Sequence, residues 1–262
     1  MNLNSIWFSL GPLIGFNIIL LITVFIFRRI YREKGREADV ENRSASPLLN
    51  KWMREYWYWL TDPFVRFFIR FKFSPNMLTF MGVLISMISG SFFWAGRFGL
   101  GGWFLIFAAT FDMFDGRVAR MTHGETKSGA YFDAVMDRAS EGAVFLGLAL
   151  HYRNQFALWI VFLALMGSFM VSYSRAKGEA SGAAYRGGFM QRPERVVYLG
   201  VGAIFAPVFA CVLNAIWFHQ TSFIPVADNL YLFPLSFVAL MTWVTSFGRI
   251  RTVMKMLDQS SQ

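Results

Sequence analysis

Four aspartates lie close together in a chain that otherwise contains few charged residues. Asp112 and Asp115 precede Asp133 and Asp137 within the stretch FDMFDGRVARMTHGETKSGAYFDAVMDRASEG. On a helix, residues three or four positions apart lie on one face, so each pair presents two carboxylates in the same direction. The eight-residue link 121–128 makes the two helices antiparallel neighbours, and the two carboxylate pairs are therefore able to face each other.

This arrangement predicts a hard oxygen-ligand site. Four carboxylates cannot all stay ionised in a low dielectric without a compensating cation, so either some are protonated or a divalent metal lies between them. Oxygen ligands alone favour Mg²⁺, Mn²⁺ or Ca²⁺ over zinc. The small residues Gly116 and Ala119 leave space for a phosphate substrate on the same face, and Arg120 could pair with that phosphate.

Two further roles for the aspartates fit the sequence less well. The first is structural ion pairing with Arg117, Arg120 and Arg138, but intramembrane ionisable groups usually mark function, and the acids here match or outnumber the bases. The second is cation transport, but a transporter would bind its ion near the bilayer midplane, whereas these acids cluster at a helix end. The sequence also contains no inverted repeat and no paired broken helices, which many transporters have.

Composition places this site in a membrane protein. The 262 residues are 55% hydrophobic and only 16% charged, which excludes an ordinary soluble domain. Apolar runs of about 20 residues recur, which suits helices and is too long for barrel strands. The predicted fold class is therefore an all-α integral membrane protein. The seven predicted spans are 9–27, 76–96, 101–119, 131–150, 156–174, 196–217 and 229–247.

Basic residues crowd alternate loops, and this bias predicts the orientation. They follow the first span and recur in the stretch RAKGEASGAAYRGGFMQRPER and the tail GRIRTVMK. We therefore expect the N terminus outside, the C terminus in the cytoplasm and the aspartates facing the cytoplasm, in the inner (plasma) membrane of the cell. A cleaved signal peptide at residues 1–27 is the alternative, but the basic cluster follows this apolar run instead of preceding it.

The aspartates belong to a longer pattern, Asp-x2-Asp-Gly-x2-Ala-Arg-x8-Gly-x3-Asp-x3-Asp. The residues that match it are Asp112, Asp115, Gly116, Ala119, Arg120, Gly129, Asp133 and Asp137. This pattern resembles the signature of the CDP-alcohol phosphotransferases. The resemblance covers roughly residues 72–255 and implies a six-helix membrane core, to which this chain adds one N-terminal transmembrane helix.

Residue patterns and the resemblance together divide the chain into four segments. Basic residues alternate with aromatics after residue 50, as expected for a helix at the membrane interface. The predicted segments are an extra transmembrane helix at 1–27, a cytoplasmic linker at 28–50, an interfacial amphipathic helix at 51–74 and a six-helix catalytic domain at 75–255.

Gly82, Ser86 and Gly90 are spaced four apart, which allows a second helix to approach closely.

The resemblance also implies a reaction. A phosphatidyl group moves from CDP-diacylglycerol to an alcohol and CMP is released, with two divalent ions, Mg²⁺ or Mn²⁺, in the site. Asp112, Asp115 and Asp133 would hold the first ion, Asp133 and Asp137 the second, and Asp137 would be the general base. The residues implied to contact the CDP-lipid are Asn76, Thr79, Gly116, Ala119, Arg120, Thr126 and Gly129. Lys127 is close enough in sequence to contribute.

Residues outside the signature bear on the acceptor. The stretches DRASEGAVF, SYSRAKGEASG, GGFMQRPERVV and GRIR resemble the branch of the family that makes phosphatidylinositol phosphate. By position, the acceptor phosphate would be bound by Ser172, Arg175, Arg195 and Arg249. Several arginines suit a phosphorylated polyol such as inositol phosphate, and glycerol 3-phosphate would use the same charges. The choice between Arg249 and Arg251 stays open. The expected partners are the two substrates, membrane lipids and a second copy in a homodimer, without nucleic acid.

Overall fold

The computed structural model describes residues 3–34, 51–185, 187–216 and 223–260. Within these ranges all regular structure is helical and no β-strand occurs, which confirms the all-α prediction. The helices are α1 (Leu3–Lys34), α2 (Lys51–Arg70), α3 (Pro75–Trp94), α4 (Phe98–Met121), α5 (Lys127–His151), α6 (Ala157–Ala180), α7 (Arg192–Ile216) and α8 (Phe223–Ser260).

The helix boundaries follow the predicted segments closely, with one extension. Helix α1 continues to Lys34, so the first part of the predicted linker is helical, and residues 35–50 lie outside the described part of the chain. Helix α2 occupies the predicted interfacial segment, and α3 to α8 occupy the predicted six-helix domain. The assignment of functions to these segments stays a prediction.

Five helices in the described residues are long and apolar enough to cross a membrane: α3, α4, α6, most of α7 and the part of α8 from Asp228 to Gln259. Helix α5 does not meet this criterion because its first half is charged. Its charged residues are Lys127, Asp133, Asp137, Arg138 and Glu141. The spans predicted for α1 and α5 therefore stay predictions.

Small residues mark the places where the helices cross most closely. A methyl group on Gly82 would lie 3.5 Å from the Ala108 carbonyl oxygen of α4, and one on Gly90 would overlap the backbone of α5 at Ala143. Gly147 of α5 in turn packs directly against the Gly90 backbone. The predicted small-residue stripe is thus confirmed, and it lets α3 contact both helices that carry the aspartates.

The buried side chain of Arg117 on α4 forms hydrogen bonds to α2. The Arg117 guanidinium donates to the Tyr58 carbonyl at 3.0 Å, to Thr61 Oγ1 at 2.6 Å and to Asp62 Oδ1 at 3.2 Å. Around it, an apolar cluster that includes Phe68 joins the two helices. These contacts fix the segment of α4 that carries the first two aspartates.

Candidate active site

Three of the four predicted aspartates form one cluster. Asp112 comes from α4 and Asp133 and Asp137 from α5, and one carboxylate oxygen of each lies within 4.8 Å of the others. All three side chains are half-buried. The antiparallel arrangement of α4 and α5 produces this cluster, as the short link between them predicts.

The donor set fits a hard divalent cation. All three ligands are carboxylate oxygens, which Mg²⁺ and Mn²⁺ prefer. Asp133 Oδ1 is buried and makes no hydrogen bond to the described residues, and such an atom is costly unless a cation or water satisfies it. The residues present therefore match the metal that the sequence predicts.

The fourth aspartate has a different environment. Asp115 is buried, and its Oδ2 atom accepts a hydrogen bond of 2.5 Å from Thr79 Oγ1 on α3. It lies outside the three-carboxylate group, on the same face of α4 as Asp112. Thr79, predicted as a donor-lipid residue, thus directly contacts a predicted metal ligand.

The structure adds Arg192, which the sequence analysis did not single out. Its Nη1 atom lies 2.6 Å from Asp112 Oδ2 and 2.8 Å from Asp137 Oδ1. Arg192 is the first residue of α7, three positions before Arg195. Residues three positions apart lie on one helix face. Because Arg195 was predicted to lie in the site, this spacing could have predicted that Arg192 points toward it as well.

The three arginines considered as structural ion-pair partners, Arg117, Arg120 and Arg138, lie differently. Arg117 binds α2, as described above, and Arg138 lies 3.7 Å from Asp137. The Arg120 guanidinium lies beside Gly116, where an added methyl group would approach Nη1 to 3.3 Å. Gly116 therefore provides the space that this arginine occupies.

The remaining predicted donor-lipid residues meet where α3 and α5 begin. Thr126 Oγ1 accepts a 3.0 Å hydrogen bond from the Gly129 backbone and caps α5. A methyl group on Gly129 would lie 3.7 Å from Asn76 Oδ1, so the amide of Asn76 borders the same spot. Asn76, Thr126 and Lys127 are exposed at this position and Ala119 is half-buried.

A cavity of about 660 Å³ opens beside the aspartate cluster. Asp133 and Asp137 line one wall, and the opposite walls come from α6, α7 and α8. All four residues predicted to bind the acceptor phosphate line it: Ser172, Arg175, Arg195 and Arg249. The structure therefore brings the predicted acceptor residues together next to two of the predicted metal ligands.

Two of these arginines are buried and held by backbone atoms. Arg249 is 2% exposed, donates to the Gly187 carbonyl at 2.8 and 3.2 Å, and also donates to the Val171 carbonyl. Arg195 is 1% exposed and donates to the Met190 carbonyl at 3.2 Å. Arg251 is exposed and does not line the cavity.

Glu141 connects two arginines of this cavity and was not predicted. It accepts from Arg195 Nε at 2.7 Å and from Arg138 Nη1 at 3.1 Å, and Arg138 also donates to Ser172 Oγ. The Nη2 atom of Arg195 is buried without a hydrogen-bond partner among the described residues. A buried donor in this state is well suited to bind an anion.

Comparison with known proteins places the chain in a family. The family model for CDP-alcohol phosphatidyltransferase matches residues 72–224, which is more than half of the chain. The chain belongs to this family. The matched range contains the aspartates, Arg192 and most of the acceptor cavity, and it excludes α1 and α2. This family assignment supports the predicted transferase over the alternative of a cation transporter.

Individual relatives share this family. The phosphatidylinositol phosphate synthase of Mycobacterium tuberculosis is 37% identical over 149 residues, which is 55% of this chain and 69% of the relative. The archaetidylinositol phosphate synthase of Pyrococcus horikoshii is 31% identical over 187 residues, 71% of this chain and 86% of the relative. A crystal structure of the M. tuberculosis enzyme with manganese and citrate superposes with a TM-score of 0.61 at 30% identity, over 74% of this chain and 88% of that one.

These findings confirm the predicted enzyme class. The chain is a membrane-embedded phosphatidyltransferase of phospholipid synthesis, built on the fold that the signature predicts. The manganese in the related structure agrees with the three-carboxylate cluster found here and with the predicted requirement for Mg²⁺ or Mn²⁺.

Proposed function

We propose that this enzyme transfers the phosphatidyl group of CDP-diacylglycerol to a hydroxyl of inositol phosphate and releases CMP. The observation that carries the proposal is the cavity of about 660 Å³ that has Asp133 and Asp137 on one wall and Ser172, Arg195 and Arg249 on others. The phosphatidylinositol phosphate synthase of M. tuberculosis, for which a structure with CDP-DAG bound is known, supports the choice of donor and acceptor.

The charges of the cavity favour a phosphorylated acceptor. Arg195 has a buried donor, Nη2, without a partner among the described residues, and a phosphate oxygen would satisfy it. Free inositol offers only neutral hydroxyl oxygens and serine a single carboxylate, so both would form weaker interactions with this arginine-lined cavity than a phosphate dianion. The volume lies within the usual range of small-molecule sites.

We assign the catalytic roles by position. Asp112, Asp115, Asp133 and Asp137 are the proposed ligands of two Mg²⁺ or Mn²⁺ ions, which when bound offset the charge that develops on the attacking and leaving oxygens. Asp137 is the general base that the family signature implies, and its place in both the cluster and the acceptor cavity, which it shares with Asp133, supports that role. It accepts the hydroxyl proton while the acceptor oxygen bonds to the phosphorus attached to diacylglycerol and the bond from that phosphorus to the CMP oxygen breaks.

The donor is proposed to bind on the opposite side of the cluster, where α3 meets the link between α4 and α5. The residues assigned to it are Asn76, Thr79, Gly116, Ala119, Arg120, Thr126 and Gly129, with Lys127 as an additional contact. In support, Asn76, Thr126 and Gly129 adjoin one another, and Thr79 contacts Asp115.

CMP release by the purified enzyme tests the proposal. CDP-diacylglycerol and Mg²⁺ or Mn²⁺ are supplied with inositol 1-phosphate, glycerol 3-phosphate, free inositol or serine. We expect release with inositol phosphate and its loss in Arg195→Ala. Release with glycerol 3-phosphate instead would keep the reaction and overturn the acceptor, and a lack of release with every one of these acceptors would overturn both substrates.

The metal ligands have their own test. Asp112→Asn, Asp115→Asn, Asp133→Asn and Asp137→Asn should each abolish metal-dependent CMP release while the protein remains folded and inserted. Near-full activity in any two of these variants would show that the assignment is wrong.

We also propose that the enzyme is a homodimer in the inner membrane with its active site facing the cytoplasm. The basic residues concentrated after the first apolar span, around the end of α6 and in the tail support this orientation. A reporter fused after residue 262 that is active only in the cytoplasm tests the orientation, and light scattering of the purified protein tests the dimer.

A further inference from the structure

Arg192 lies between the aspartate cluster and the acceptor cavity. Its Nη1 atom contacts both Asp112 and Asp137, at 2.6 and 2.8 Å, so it uses carboxylate oxygens that are also available to a metal. The same residue lines the acceptor cavity next to Arg195. Its side chain is 21% exposed, which leaves it more room than the fully buried Arg195.

We propose that Arg192 is a mobile cation that couples metal binding to binding of the acceptor phosphate. In the enzyme without metal it neutralises Asp112 and Asp137. When a divalent ion takes these carboxylates, Arg192 swings into the adjoining cavity and binds the phosphate of the acceptor. This inference rests on the proposed function, because it takes a phosphorylated acceptor as the cavity's ligand.

Repulsion between the positive charges disfavours the presence of both cations on the same carboxylates. A guanidinium nitrogen that touches two carboxylates at under 3 Å would stand within a few ångströms of an ion bound to them. Repulsion at such a distance is strong where solvent screening is weak. Arg192 therefore competes with the metal unless it moves.

The cavity offers a place for the displaced side chain. Arg192 already lines it, and a phosphate bound to Arg195 and Arg249 would lie in the same space. Those two arginines are fixed by backbone carbonyls, whereas Arg192 extends from the first turn of α7 on a long flexible side chain. An acceptor that attracts Arg192 removes the competitor from the metal site. By thermodynamic linkage, the metal must strengthen acceptor binding by the same factor.

Calorimetric titration of Mn²⁺ into the purified enzyme, without CDP-lipid, tests the coupling. Each titration is done with and without saturating inositol 1-phosphate and is corrected for Mn²⁺ binding to that ligand in buffer. For the wild type we expect the phosphate to lower the Kd for Mn²⁺ about tenfold, within the typical range of such couplings, about 5- to 150-fold.

Arg192→Gln removes the competitor and should bind Mn²⁺ more tightly in the absence of acceptor, with a coupling factor close to one. Arg192→Lys keeps the charge and should retain part of the coupling. Lys177→Gln is the charge-matched control, because it removes a positive charge from α6 at a position that does not line the cavity. It should keep the wild-type values.

Three results would overturn the proposal: a wild type without coupling, an Arg192→Gln variant that keeps it, or an Arg192→Gln variant that binds Mn²⁺ more weakly. Arg192→Lys decides the case in which Arg192→Gln fails to fold. CMP release from the same preparations distinguishes a failure of the role proposed for Arg192 from a failure of the proposed function. Release with inositol phosphate but no coupling refutes the role of Arg192 alone, whereas failure of release with every acceptor refutes the proposed function.

Discussion

Glu141→Gln is the most informative single substitution behind the arginines of the acceptor cavity. The carboxylate of Glu141 holds Arg195 Nε at 2.7 Å and Arg138 Nη1 at 3.1 Å, and its side chain is only 10% exposed. Glutamine has nearly the same size but carries no charge and has one oxygen instead of two. We therefore expect both arginines to lose their fixed orientation toward the acceptor while the helices stay packed.

The expected magnitude follows from the burial of this network. A buried hydrogen bond between charged groups contributes roughly 1.5–3 kcal/mol, and about 1.4 kcal/mol corresponds to a tenfold change in affinity. We expect Glu141→Gln to raise the KM for the phosphorylated acceptor about ten- to a hundredfold. The KM for CDP-diacylglycerol should stay within about twofold, because the hydrogen bonds of Glu141 go to Arg195 and Arg138 and not to the residues proposed to bind the donor.

The chain provides a matched control on the rim of the same cavity. Glu179 pairs with Arg175 at 3.1 Å, but these side chains are 38% and 42% exposed. Exposed ion pairs contribute only about 0.2–1 kcal/mol, so Glu179→Gln should raise the acceptor KM by less than about fivefold. The assay is CMP release at saturating donor with the acceptor varied.

Either of two results would refute the reasoning. Equal effects of Glu141→Gln and Glu179→Gln would show that burial of the pair does not set its contribution. A lower kcat with an unchanged acceptor KM would show that Glu141 acts on the chemical step and not on the orientation of the arginines. Thermal unfolding of both variants checks that the fold is retained.

Three further substitutions test the scaffold. Thr79→Val removes the hydroxyl that donates to buried Asp115, so the free energy of unfolding should fall by about 1–3 kcal/mol in a melting assay. Thr79→Ser keeps a hydroxyl at this position and should retain most of that stability. Gly90→Val would push α3 away from α5 and should abolish folded protein in size-exclusion chromatography, whereas Gly142→Ala, with no atom within 4 Å of the added methyl group, should be neutral. Arg117→Met breaks the hydrogen bonds between α4 and α2 and should speed amide hydrogen exchange in α2, and unchanged exchange would contradict this anchoring role.

The part of the site that sequence reasoning predicted well depends on short-range geometry. Asp112 lies near the end of one helix and Asp133 and Asp137 near the start of the next, with a short link between them. Helical spacing and an antiparallel turn are therefore enough to bring these carboxylates together. Asp115 follows the same helix face, but the Thr79 hydroxyl that contacts it comes from α3, 36 residues away.

The end of α1 was not predicted, because polar composition does not end a helix. The polar composition of the basic run after the first apolar span predicts a linker, yet α1 continues to Lys34. Arginine, lysine and glutamate have high helix propensity, so a charged stretch leaves the apolar environment without leaving the helix. Helix α5 is less apolar than its neighbours because it carries Asp133, Asp137 and Arg138, which line the site.

The arginines show what sequence spacing cannot resolve. Arg195 reaches Glu141 across 54 residues, Arg192 reaches Asp112 across 80, and Arg249 reaches the Val171 carbonyl across 78. All three belong to basic stretches that predict cytoplasmic loops equally well. Their roles differ only through their partners, because backbone carbonyls fix Arg249, whereas carboxylates that also suit a metal hold Arg192. A change of acceptor specificity should therefore come more readily from altering what holds these arginines than from altering their number.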